Sequence, residues 1–240
     1  MVEGYKPQDF SFLTAVRIST TPATNNPEKA ILQLPAIRQQ LLSDPRFRTH
    51  TFNIMILQDI VNKKHDKCLL FEYFVHSLYK WNRELDNTCK AEYSKLQLHK
   101  LLFLASAINT TAVHHDMLDI FNRFYALPYG PVEMDIYEAM KTGKIGSISV
   151  SDRFCKFNSV ADNHFDELDK RYKNIVDIAI ADLKKLKINY FTMPPFKLVE
   201  VSHCWTAWRN AYSFAMLCGS KQEPMSIESI CSSDVKYFGE

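Results

Sequence analysis

Apolar positions recur every three or four residues along most of this 240-residue chain. That spacing lines side chains along one face of a helix. Phe71, Phe74, Val75, Leu78 and Trp81 follow it, predicting a helix over 69–85. Leu98, Leu101, Leu102, Ala105 and Ile108 form a second stripe, with Ser94 placed to cap its helix. Val132, Ile136 and Met140 predict a third helix, beginning at Pro131 and stopping at Gly143. Val176, Ala179, Ile180 and Leu183 mark a long amphipathic helix over 164–187. Lys184, Lys185 and Lys187 crowd its end, where cations suit the dipole. Residues 198–212 read as a helix or two linked helical turns, and Pro224 and Ser226 start a short helix near 227–230. Nearer the amino terminus, Asn26-Pro27-Glu28 starts a helix carrying Ile31, Leu34, Ile37 and Leu41, kinked or split at Pro35. A further helix covers 52–61. Strand-like alternation occurs at 145–150 and again at 154–157, which predicts one short hairpin. The expected fold is mainly α: a compact bundle of about seven or eight helices with one small β-hairpin.

The polar break Lys63-Lys64-His65-Asp66-Lys67 divides the chain. Residues 1–66 read as an amino-terminal extension of loop plus helices, and 67–240 as a helical domain. Pro7, Pro22 and Pro27 keep the first stretch extended or looped, while Phe10, Phe12, Leu13 and Val16 are apolar enough to dock on the body. An apolar content of 46% with 23% charged residues suits a globular chain long enough to bury a core without staples. The formal net charge of +2 forces neither a nucleic-acid nor a membrane partner. No apolar run approaches the ~20 residues that span a bilayer. With 6 glycines, a doubly wound nucleotide fold is disfavoured. The 6 cysteines lie far apart and no signal peptide precedes them, so reduced thiols and a cytoplasmic location are expected.

The usual chemical signatures are missing. There is no P-loop, no G-x-G-x-x-G, no H-E-x-x-H and no Cys/His array, so neither a cofactor nor a metal is expected. Ser77-x-x-Lys80 and Lys141-Thr142-Gly143 imitate parts of a penicillin-recognising enzyme. Ser77, however, lies mid-helix among core aromatics, and Thr142-Gly143 is simply a helix stop. His114 and His115 are adjacent, so on a helix their rings diverge by about 100°, and they read as surface histidines. Cys204 beside His203 fails as a dyad for the same reason. Arg46, Arg48 and His50 read as a solvated surface.

Residues 121–137, FNRFYALPYGPVEMDIY, stand apart. Pro128 and Pro131 fix φ and each pushes the residue before it out of the helical region. Gly130 between them is free to take positive φ. The chain must turn sharply here. Three pieces occur in order: an apolar helix over 96–105; F-x-A-x-x-YGPV-x-x-x-x-Y over 124–137; and Leu-Val-Glu-x-Ser-His ahead of Trp205 and Trp208 over 198–208. That order resembles the Panacea (SocA-like) antitoxin domain, over roughly residues 68–235. Thr206-Ala207 between the two tryptophans departs from the family pattern, and the first 60 or so residues lie outside it.

The resemblance implies a non-enzymatic antitoxin that neutralises a cognate protein toxin by binding it directly, either alone or as a homo-oligomer. Tyr129, Gly130, Pro131, Val132, Tyr137, His203, Trp205 and Trp208 are the positions expected to bind the partner or shape its site. His203 reads equally as a helix-turn histidine bonded to a backbone carbonyl. Tyr129 reads either as a turn anchor or as an interface aromatic. A DNA-binding regulator of its own operon is the alternative. It lacks a helix with Arg, Asn and Gln on one exposed face. An enzyme would require a deep pocket with converging, pKa-shifted groups around His203.

Overall fold

The structure, a computed structural model, describes residues 66–234 except 112, 159, 162, 187 and 188. The helices predicted over 26–41 and 52–61, the docking of residues 10–16, and all but the last residue of the 1–66 extension lie outside the described residues.

Helix α1 spans 66–85 and buries Leu70, Phe71, Phe74, Val75, Leu78 and Trp81. Strand β1 (Glu92–Ser94) leads directly into α2 (Lys95–Ala107). The Ser94 hydroxyl caps α2 by accepting from the Gln97 N–H at 3.0 Å. Every residue of α2 from Gln97 to Ala107 is buried. A helix buried on all sides belongs at the centre of a domain, and α2 takes that place. It packs against α3 (Asp116–Ile120), α5 (Lys170–Lys185), α6 (Pro195–Ser202) and strand β3 (Gly130–Glu133). The sequence stripe located this helix, but its burial is wider than one stripe and includes His99 and Lys100.

Among the described residues the chain forms eight helices and two antiparallel sheets, of four and three strands. This corrects the expectation of a mainly α bundle with one hairpin: the fold is mixed α/β. The larger sheet has the order β1-β6-β5-β4, with β4 Lys144–Ile145, β5 Ile148–Val150 and β6 Phe154–Phe157. The anticipated hairpin is β5–β6, in register Ile148↔Phe157. The smaller sheet has the order β3-β2-β7, with β2 Phe124–Leu127 and β7 Glu223–Pro224. Strands β1, β4 and β7 are two or three residues long, too short for alternation to register. Strands β2 and β3 are four residues each, and Pro131 within β3 masks its strand character. Pro131 is tolerated because β3 is an edge strand, where a missing N–H need not break the ladder.

The helix expected to begin at Pro131 is α4 (Met134–Met140), and Val132 belongs instead to β3. The Glu133 carboxylate caps α4, accepting from the Ile136 N–H at 2.9 Å. Helix α5 is shorter than predicted and starts where the Asp169 side chain caps the Arg171 N–H. Residues 198–212 divide between α6 and α7 (Thr206–Leu217), and α8 (Ile227–Cys231) closes the described chain. No helix among the described residues is long and apolar enough to cross a membrane.

Candidate functional site

The YGPV stretch is the tip of the β2–β3 hairpin. Leu127 pairs with Gly130, leaving Pro128 and Tyr129 as a two-residue loop. Gly130 has φ +91°, a conformation only glycine adopts without strain. It also has no room for a side chain. A Cβ there would lie 2.4 Å from Ser202 Oγ and 2.9 Å from Lys100 Nζ. Glycine therefore lets the hairpin press directly onto α2 and α6.

Two side chains from below hold the hairpin's carbonyls. Lys100 Nζ donates to the Pro131 carbonyl at 2.6 Å. Trp208 Nε1 donates to the Leu127 carbonyl at 3.0 Å. Lys100 is wholly buried and has no carboxylate within ion-pair distance among the described residues. Burial alone lowers its ammonium to about 7. Ser202 Oγ, also wholly buried, donates back to the Val199 carbonyl at 2.8 Å.

His203 lies flat on Trp208, with ring centroids 3.5 Å apart and planes at 7°. Tyr212 stacks near Trp208 at 5.3 Å and 10°. His203 Nε2 is buried and makes no hydrogen bond among the described residues. Burial lowers the His203 imidazole to about 4; Lys100 adds to that and Glu200 opposes it. The ring is thus neutral at neutral pH. Cys204 Sγ points away, donating to the Glu200 carbonyl at 3.5 Å.

Tyr129 projects from the loop, 60% exposed, and meets Phe196 edge-on at 6.1 Å. Phe196 is itself 65% exposed. Pro128 and Pro194 beside them are exposed too. The result is a small aromatic and proline surface seated on a buried, hydrogen-bonded base.

Of the eight positions singled out in the sequence, Tyr129, Gly130, Pro131, His203 and Trp208 are gathered at this hairpin. Val132 is buried in β3. Trp205 lies in the core, 1% exposed and edge-on to Phe103 at 5.2 Å. Phe103 also packs edge-on against Phe124 at 5.4 Å. Tyr137 stands apart on α4, half-buried, 6.0 Å from the His99 ring and beneath Lys141 Nζ at 4.5 Å. Lys100, Phe196 and Ser202 were not anticipated. Lys100 carried a readable signal, a lone cation beside the buried stripe of Leu98, Leu101 and Leu102. Phe196 lay behind Pro194-Pro195, which marked only a chain break.

At the base of the hairpin is a second cluster. Lys67 Nζ donates to Glu133 Oε1 at 2.9 Å, Asp135 Oδ2 at 2.5 Å and Asn122 Oδ1 at 3.1 Å. Arg123 also pairs with Asp135. Burial pushes the Glu133 carboxyl up, against the pull of Lys67. Asp135 is likewise raised by burial, but Lys67 and Arg123 outweigh it and hold its carboxyl below the usual range. No group of three or more His, Cys, Asp or Glu suited to a metal ion occurs among the described residues.

Residues 98–209 match the family model described as Antitoxin SocA-like, Panacea domain. That segment is therefore antitoxin-like, as the three sequence pieces implied. No curated protein and no solved structure matches the chain.

Proposed function

We propose that this protein is the antitoxin of a toxin–antitoxin pair and neutralises a protein toxin by binding it directly. The antitoxin-like segment supports the class. The observation that carries the mode of action is the exposed pair of Tyr129, on the loop of the hydrogen-bonded hairpin, and Phe196, on α6 beside it. Aromatic side chains held rigidly at a surface lose little entropy on binding and dominate interface energetics. The reading requires no catalysis and no cofactor, and the encounter takes place in the cytoplasm.

The test is co-expression with each adjacent open reading frame, scored by growth and by co-purification. One neighbour should be toxic alone, and this protein should rescue growth and co-purify with it. Tyr129→Ala and Phe196→Ala should each weaken capture by roughly 10-fold or more, the range of an interface anchor, while leaving thermal unfolding nearly unchanged. Rescue without co-purification, or capture indifferent to both substitutions, would defeat direct binding through this surface.

A further inference from the structure

Lys67 lies on α1, outside the 98–209 segment that matches the antitoxin-like family. Its three acceptors bracket the hairpin. Asn122 precedes β2, Glu133 ends β3, and Asp135 stands in the first turn of α4. Three donors meeting three acceptors saturate the ammonium. The acceptors are tied further into the hairpin's ends. Glu133 Oε1 also accepts from the Arg123 N–H at 3.3 Å, and Glu133 Oε2 from the Ile136 N–H at 2.9 Å. The Met134 N–H donates to the Arg123 carbonyl at 2.9 Å.

The charges do not balance without Lys67. Glu133 is 0% exposed. Arg123, the other cation, has a side chain 47% exposed and reaches Asp135 rather than Glu133. Water screens such a cation far more than a buried one. Removing the Lys67 ammonium would leave Glu133 an unpaired buried anion beside Asp135. A buried carboxylate in that position either takes up a proton or opens the structure around it.

We propose that Lys67 is a positioning residue for the Tyr129 hairpin: from α1 it clamps both ends of β2–β3 and so fixes the direction in which Tyr129 leaves the domain. The consequence for toxin affinity rests on the antitoxin reading; the clamp itself does not.

The experiment uses the full chain with Lys67→Met, Lys67→Arg, and Lys67→Met combined with Glu133→Gln and Asp135→Asn. Amide hydrogen exchange is read at the hairpin and at α5. Lys67→Met should lower protection of the hairpin amides by roughly 10- to 100-fold while sparing α5, because local opening is decoupled from global unfolding. Lys67→Arg should keep most of the protection, and the triple variant should recover it. In Lys67→Met the protection factor should rise again as pH falls from about 8 to about 5, as the unpaired Glu133 carboxylate takes up a proton. A side chain that merely filled space would give neither charge-neutral rescue nor that pH profile. If Lys67→Met is too unstable to purify, the Arg and triple variants decide: both loosened at the hairpin relative to the parent overturns the proposal, and both protected supports it. Equal loss in α5, no loss at the hairpin, or failure of the triple variant to recover also overturns it. Affinity for the co-purifying toxin should fall by roughly 10-fold in Lys67→Met and return in the triple variant. Unchanged affinity alongside a damaging Tyr129→Ala refutes the positioning role. If Tyr129→Ala is itself without effect, the toxin surface has been misplaced, and hydrogen exchange alone decides the clamp.

Discussion

Lys100 offers a quantitative test of how the hairpin is held. Its ammonium is fully buried against the Pro131 carbonyl, and burial lowers it from 10.5 to about 7. One pKa unit is worth roughly 1.4 kcal/mol, so keeping Lys100 charged costs the fold about 4 to 5 kcal/mol at pH about 6. Below about 7 the lysine is protonated in both states, and the whole cost is present. Between about 7 and 10.5 the unfolded chain holds the proton and the folded one does not, so stability rises with pH. At pH about 9 the remaining cost is about 2 kcal/mol. Lys100→Met removes the charge but orphans the Pro131 carbonyl, at a cost of about 1 to 3 kcal/mol. The Met variant should therefore be more stable than the parent by about 2 to 3 kcal/mol at pH about 6, with the gap closing near pH 9. Urea denaturation at about pH 6, 7.5 and 9, followed by tryptophan fluorescence, reads the difference directly. Titrations shared by both proteins largely cancel in it. Parallel stability curves, or a Met variant weaker at pH 6, would refute the picture of an uncompensated buried ammonium.

Three further outcomes follow from the same geometry. Burial lowers His99 to about 3 and His203 to about 4, so both stay neutral in the fold while the unfolded chain protonates below about 6.5. Stability should fall as pH drops through that window, by up to roughly 1.4 kcal/mol per pH unit for His99 and less for the partly exposed His203; His99→Phe should flatten the acid limb of a Tm-versus-pH curve. Gly130→Ala places a Cβ against Ser202 Oγ at φ +91° and should cost more than about 2 kcal/mol in calorimetry. Adding Ser202→Gly should recover only part, since the backbone strain remains. Trp208→Phe retains a ring beneath His203 but drops the bond to Leu127, and should cost about 1 to 2 kcal/mol in a urea melt.

The long helices were legible because burial imposes a period, and α1, α2 and α5 were each found from a handful of apolar positions. The sheets were less so. A strand such as Lys144–Ile145 carries no period, and it exists because β5 lies beside it. At the hairpin, the two prolines mark a sharp turn but give no sign of the strands on either side; Pro131 falls in an edge strand, which accommodates it. The candidate site was half visible. The turn residues and the His203–Trp208 pair were marked by type and order, and the structure brings them together. Trp205 bears the same residue type as Trp208, but it stands in extended backbone at the N-cap of α7 and is buried in the core, whereas Trp208 lies on the helix itself and reaches the hairpin. Lys67 and Phe196 reach the hairpin by tertiary packing, from positions with no local mark.

Strand β2 is completed from far along the chain. Its outer edge is covered when Met225 donates its N–H to the Phe124 carbonyl at 2.8 Å and β7 pairs with Tyr125 and Ala126. During synthesis, β2 and β3 can meet as soon as they leave the ribosome, but β2 then waits for about a hundred more residues before its free edge is capped. Contacts of such separation slow folding. An open edge during that wait is the place where a nascent chain pairs with the wrong strand. Pro224 limits that hazard at the far side, since the last strand added carries a residue that cannot donate to another.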